Sequence, residues 1–349
     1  MRTGYAHLPL HGGHCPPWLF RRMKPLAKAV GDAIILEYGE EEFLKRLSDP
    51  FFFQSFGCVL GYDWHSSGVT TTVCGAIKEA EIEGIAACGG KGKTSRKTPE
   101  EILKKAQEFS FSDDKIKNLV HASKMSAKID NTAVQDGYQL YHHMFIFTEK
   151  NEWTVIQQGM NESNKYARRY HWLTTDSFLN EKQTIACDKK EKEVLDLSAK
   201  QSEETRQISV DLVKDNISKR LQNASSIPNL EMPAHHEIRQ LKKQTVDTLK
   251  KAYELQPQNY EELLAIRGMG PKAVRALALI SQLVYGAAPS WNDPVKFSFS
   301  HGGKDSIPFP VDKPTYENSI QMLRTAVDNA KLGDQQKLKA IKSLNKFIS

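Results

Sequence analysis

Residues 263–283 read LLAIRGMGPKAVRALALISQL, and no other stretch constrains the fold so tightly. Leu263, Leu264 and Ile266 form the apolar face of a short helix. Gly268-Met269-Gly270 then makes a turn too tight for side chains, with Met269 as an inward plug. Pro271 opens a second helix, because a missing N–H costs nothing at the first helical position. Ala273, Val274, Leu277 and Ile280 recur at helical spacing and fold back onto the first helix.

This order of residues resembles a helix-hairpin-helix, at 261–283, the small module that holds a nucleic-acid backbone. Glycines let the chain approach a phosphate, and the free N–H groups and dipole of a helix start favour an anion. The resemblance implies phosphate contacts at Arg267, Gly268, Gly270, Lys272 and Arg275. Such contacts read backbone and not base sequence. An ordinary helical hairpin with glycine at its bend is the competing reading.

At 349 residues the chain exceeds one typical core, so more than one domain is expected. Apolar content of 40% and charged content of 26% suit a globular protein, and a net charge of +6 suits a polyanionic partner. No apolar run approaches a membrane span, and the N-terminus lacks the layout of a secretion signal, which predicts a cytoplasmic protein with no membrane partner. Five widely spaced cysteines without a C-x-x-C pair predict buried thiols and not disulfides. The expected fold is α+β: an α/β domain over 1–190 with mainly antiparallel strands, a charged helical connector over 191–232 and an all-helical domain over 233–349.

Helices are expected at 17–38, 40–47, 98–109 and 113–126. Val59–Trp64 and Val69–Ile77, rich in Val and Thr, read as strands joined at Ser66-Ser67-Gly68. Asp63 and His65 would then share one strand face, as a carboxylate and an imidazole do in many hydrolytic sites. His7, His11 and His14 cluster in the opening loop, and His11 is a further candidate ligand. Ala87–Thr94, ACGGKGKT, imitates a phosphate loop but has Ala for its first Gly, and Thr98-Pro99-Glu100-Glu101 is the better helix start. Its Lys91 and Lys93 remain candidates for backbone contact. Tyr141–Thr148 and Trp153–Gln158 form a hairpin carrying His142, with Asp136 just before it. In Tyr166–Trp172, Arg168 and Arg169 are interleaved with aromatics, which suits phosphate pairing and base stacking; an internal Arg–aromatic packing cluster is the alternative.

Taken together, LPLHGG, GYDWHSSGVTTTVCGA, GGKGKTSRKTPEE, VIQQGMN with ARRYHW, and the hairpin followed by HGGKD resemble the prokaryotic domain-of-unknown-function family seven-six-three. That resemblance implies a full-length architecture ending in the hairpin module, and no activity. The functional expectation is a protein acting on a nucleic-acid backbone, DNA or RNA, with a metal-dependent nuclease in DNA repair or processing as the leading reading. Asp63, His65, Asp136 and His142 are the candidate catalytic residues, and Asp63, His65 and His11 the candidate ligands for magnesium, manganese or zinc. Two alternatives stay open. One is a non-catalytic DNA-binding or repair-accessory protein. The other is a glycosylase/lyase in which Lys272 attacks the sugar and Asp293 stabilises the developing charge.

Overall fold

Asp49-Pro50 decides the local structure of the segment that follows. The Asp49 carboxylate accepts the Phe51 and Phe52 N–H groups at 2.8 and 3.4 Å, and Pro50 occupies the first helical position. The computed structural model describes residues 15–62, 67–164, 166–180, 182–187, 189–217, 243–296 and 313–330, with 337, 338, 340–342 and 344. Helices α1 (Pro17–Tyr38), α2 (Glu40–Ser48), α3 (Pro50–Val59) and α4 (Gly68–Ala80) open the described chain. The two strands expected at 59–64 and 69–77 are therefore corrected, since Val59 ends a helix and Val69–Ile77 lies within one. Val and Thr favour strands only weakly, and packing overrides them here. Val69, Val73, Ala76, Ile77 and Ala80 are buried at helical spacing. At Gly57 a Cβ would come within 2.9 Å of Val69, so the missing side chain lets α3 and α4 cross closely.

The sheet follows: β1 (Ile85–Lys91), β3 (Gln139–Thr148), β4 (Trp153–Asn161), β5 (Tyr166–Leu173) and β6 (Thr184–Ala186), antiparallel in the order β1-β3-β4-β5-β6. Between β1 and β3 lie a 3-10 turn (Gly92–Lys97), α5 (Thr98–Glu108), α6 (Asp113–Lys128) and a π-helical turn (Ile129–Ala133). A small ladder pairs β2 (Val134–Gln135) with β7 (Leu195–Asp196). The expected β3–β4 hairpin and mainly antiparallel sheet are present. Strand alternation sends Phe145, Phe147, Val155 and Trp172 into one core cluster and Met144, Ile146 and Ile156 into another. The second cluster holds α1–α4 and α11 (Lys313–Asn329).

The first cluster joins α5 and α6 to α7 (Glu203–Lys214), α8 (Lys243–Leu255), α9 (Tyr260–Ala265) and α10 (Pro271–Tyr285). The described part of 191–232, expected as a charged helical connector, contains α7 and also contributes to the core. Leu195, Leu197, Val210, Leu212 and Val213 are core residues, and α7 packs along α10. Glu203, Glu204 and Asp211 lie on the outer face of α7 while Arg206 is buried, an amphipathic pattern that composition alone does not separate from a linker. The hairpin is built onto the core that covers the sheet.

Candidate functional site

Asn259 caps α9 by accepting the Glu262 N–H at 2.9 Å, while Glu262 accepts the Gln258 N–H at 2.8 Å. Leu263, Leu264 and Met269 are wholly buried, so the plug expected of Met269 is in place. Gly268 has φ +99°, where a side chain would be strained and its Cβ would meet Thr248 at 2.9 Å. Two ties fix the turn to the π-helical segment. The Lys128 ammonium donates to the Met269 carbonyl at 2.5 Å, and the Gln135 amide to the Pro271 carbonyl at 2.9 Å. Burial lowers the Lys128 pKa. Arg267, Gly268 and Lys272 are exposed at this fixed turn, and Gly270 is half-buried. Arg275 is also half-buried and donates to Gln135 Oε1 at 2.8 Å, so it braces the turn from behind.

Arg168 and Arg169 do not face outward, contrary to the expected nucleic-acid contact; their relative exposures are 0% and 1%. Each sits on β5, whose burial pattern is closed on both faces by helices and loops. Arg168 holds Asp293 with two nitrogens at 3.0 and 2.8 Å and Asp136 with one at 2.9 Å, and lies 4.4 Å from the centre of the Tyr138 ring. Arg169 lies 4.6 Å from the Phe53 ring centre and donates to Gln54 Oε1 at 3.1 Å. The internal Arg–aromatic cluster is the arrangement found.

The same geometry holds two of the candidate carboxylates. Asp136 Oδ2 accepts from Arg168 and from the Tyr170 hydroxyl at 2.7 Å, and Oδ1 accepts the Tyr138 N–H at 3.0 Å. Burial raises its pKa, opposed by Arg168 and these hydrogen bonds. Asp293 accepts Arg168 at both oxygens, with the Glu191 N–H at 2.7 Å and the Val295 N–H at 3.1 Å. Asp293 accepts four hydrogen bonds, which fill its acceptor directions, and Asp136 accepts three, so both candidate residues lie buried in one ion-pair cluster around Arg168.

A second polar chain crosses the sheet. The Ser123 hydroxyl lies 2.8 Å from His143 Nε2, His143 Nδ1 lies 2.9 Å from Gln157 Oε1, and Gln157 Nε2 donates to Asp130 Oδ2 at 2.6 Å. The Trp172 N–H joins the same oxygen at 2.7 Å. Because Gln157 Oε1 only accepts, Nδ1 of His143 carries the proton and Nε2 accepts from Ser123. Burial lowers the His143 pKa to about 4, so the ring is neutral, and burial raises the Asp130 carboxyl well above its usual range. Ser123 and His143 form part of the wall of a cavity of about 390 Å³ whose lip carries Arg96 and Lys124. Lys91 and Lys93 are exposed on the neighbouring strand end and 3-10 turn.

His142 lies on the opposite sheet face. It pairs across β3–β4 with Gln158, and opposed residues of an antiparallel pair share a face. The Gln158 side chain bonds Thr70 and, at 2.8 Å, the Ser67 carbonyl, so this is the face under α4. His142 is 1% exposed, burial lowers its pKa to about 3, and neither ring nitrogen has a partner among the described residues. Asp63, His65 and His11, with the rest of the opening histidine cluster, lie outside the described residues. Among the described residues no group of three or more His, Cys, Asp or Glu is placed to hold a metal ion.

Sequence reasoning missed Ser123, Lys124, Asp130 and Gln157. The signal available was the juxtaposition of two histidines on one strand and two glutamines on its partner, a polar island between Val155-Ile156 and Met144-Phe145. Paired polar residues buried in a sheet demand partners, and α6 supplies them.

No helix among the described residues is long and apolar enough to cross a membrane. No curated protein and no solved structure matches the chain. The chain belongs to the family described as "Protein of unknown function (DUF763)", whose model matches residues 4–311.

Proposed function

We propose that this member of the DUF763 family binds nucleic acid, DNA in the first instance, by gripping the sugar–phosphate backbone with the hairpin at 267–272. One observation carries the reading. Arg267, Gly268 and Lys272 are exposed around a turn whose plug is buried and whose carbonyls are held by Lys128 and Gln135. A preorganised turn with two cations at the start of a 15-residue helix offers N–H groups, dipole and charge to one phosphate. The test is fluorescence anisotropy with single-stranded, duplex and branched oligonucleotides across a salt series. Arg267→Glu with Lys272→Glu weakens binding to all sequences alike, and loss of each phosphate contact lowers the salt slope by about 1. Unchanged binding in that double variant refutes the grip.

A second observation favours the metal-dependent nuclease as the activity. Ser67, two residues after His65, is bonded to Gln158, which stands opposite His142 on β4. The fold thus brings Ser67, just after the Asp63–His65 segment, to the face that carries a buried, neutral imidazole. A divalent magnesium, manganese or zinc ion held there would polarise a phosphate and supply hydroxide. Metal-dependent cleavage of DNA that persists at full rate in Asp63→Ala refutes this assignment, whereas binding that ignores chelators with no cleavage under any metal supports the repair-accessory reading.

A further inference from the structure

Several lysines elsewhere on the surface are paired: Lys24 with Glu79, Lys28 with Asp32, Lys105 with Glu108, Lys117 with Asp114, and Lys189 with Glu191. Around the cavity between the 3-10 turn, α6 and β3, Lys91, Lys93, Arg96, Lys97 and Lys124 are exposed and make no ion pair among the described residues. Of the two acids in the first turn of α5, Glu100 is exposed and Glu101 is engaged away from the cavity. Glu101 bonds Lys78 at 2.5 Å and the Gly89 N–H at 2.7 Å. No carboxylate lines the cavity. Like charges left together without counter-ions cost stability and favour an anion.

The interior differs from the lip. Its inner wall is the Ser123–His143–Gln157 chain, locked by Asp130 and Trp172. The chain is neutral and its members are oriented by one another, so Ser123 keeps an acceptor lone pair beyond its bond to His143. Leu140, Ala127 and Pro99 contribute apolar surface. A volume of about 390 Å³ lies within the usual range of small-ligand sites. An occupant that fits has an anionic end at Arg96 and Lys124 and a flat, neutral, hydrogen-bonding end within.

Position supplies the remaining argument. Lys124 at the lip and Lys128 at the hairpin lie one turn apart on α6, a rise of about 6 Å. We propose that this cavity is a mononucleotide site, receiving the base of one nucleotide inside while its phosphate rests on Arg96 and Lys124. In the full protein the occupant is an unpaired nucleotide of the strand held by the hairpin, an identification that rests on the function proposed above.

Calorimetric titration of the full-length protein with the common nucleoside monophosphates, in ribo and deoxyribo forms, tests this, with inorganic phosphate and free nucleosides as controls. The expected result is nucleotide binding that is weakened by at least about tenfold by Lys124→Glu with Arg96→Glu, which together remove two charge-assisted contacts. Ala127→Phe fills the cavity without changing charge and gives a comparable loss. Should Ala127→Phe fail to fold by circular dichroism, the lip double variant alone decides. Absence of nucleotide binding, or phosphate binding as tightly as the nucleotides, overturns the proposal. Polynucleotide binding without mononucleotide binding overturns it and leaves the hairpin grip standing. Mononucleotide binding that obeys these variants without polynucleotide binding supports the cavity and removes the grip.

Discussion

Replacing Arg168 by Met should be among the most damaging single changes in this protein, and its size follows from the contacts. The substitution keeps much of the apolar stem but removes three charge-assisted hydrogen bonds to Asp136 and Asp293 and one to the Lys189 carbonyl at 3.2 Å. It also removes the cation from the Tyr138 ring. Breaking a buried ion pair from one side costs about 3–5 kcal/mol, because the stranded charge has no water to turn to. Here two carboxylates are stranded, both almost fully buried, so the expected loss is about 5 kcal/mol. That is a large part of a total stability of about 5–15 kcal/mol. Urea unfolding followed by the fluorescence of Trp153 and Trp172, which sit in the adjoining core, measures it. Two further results identify the cause. Protonating the stranded carboxylates relieves the charge, so the deficit against the parent protein should shrink as pH falls. Adding Asp136→Asn and Asp293→Asn to Arg168→Met should recover about half of the loss, a non-additivity expected of groups in one network. A loss under about 1 kcal/mol in Arg168→Met, or a triple variant no more stable than the single one, refutes the argument.

Asp130 should behave in the opposite way. Its pKa is raised by burial, so its contribution to stability is full below the ordinary carboxylate range and is lost as pH rises through the folded-state value. Asp130→Asn keeps an acceptor for Gln157 and Trp172 without ionising, and should cost under about 1 kcal/mol at neutral pH while flattening the pH dependence; a loss as large as that of Arg168→Met contradicts a neutral Asp130. Gly89 has φ +106°, and a Cβ there would stand 2.2 Å from the His143 carbonyl oxygen, so Gly89→Ala should lower stability by at least about 2 kcal/mol, read as a shift in urea midpoint. Of the five cysteines, Cys58, Cys74, Cys88 and Cys187 are buried and burial pushes the Cys88 thiol up to about 12, so a disulfide reagent should label Cys15 alone in the native protein and all five after denaturation. Rapid labelling of two or more thiols under native conditions shows that the core opens more readily than its packing implies.

The helices and turn within residues 261–283 were legible in the sequence because their instructions are local. A tight glycine turn, a Pro at the first helical position and helically spaced apolar residues each act within a few residues. The same holds for the β3–β4 hairpin, where alternation fixes which side chains enter which core. Of the five thiols expected to be buried, four are, and Cys15 is half-exposed.

Where the sequence misled, the deciding contact was distant. Val69–Ile77 has the composition of a strand, yet its buried residues pack on α1 and α3, and only those neighbours distinguish a helical spacing from a β-branched run. Arg168-Arg169 looks like a phosphate contact until Asp293, 125 residues away, and Phe53 are brought against it. Ser123 and Gln157 carry no local mark of belonging to one chain of hydrogen bonds, since they meet only when α6 is laid across the sheet. The sequence by itself determined the tight glycine turn between α9 and α10, because backbone conformation is set by adjacent residues. Tertiary structure alone decided which charges face water and which are buried as pairs, because burial is a property of everything that packs around a residue.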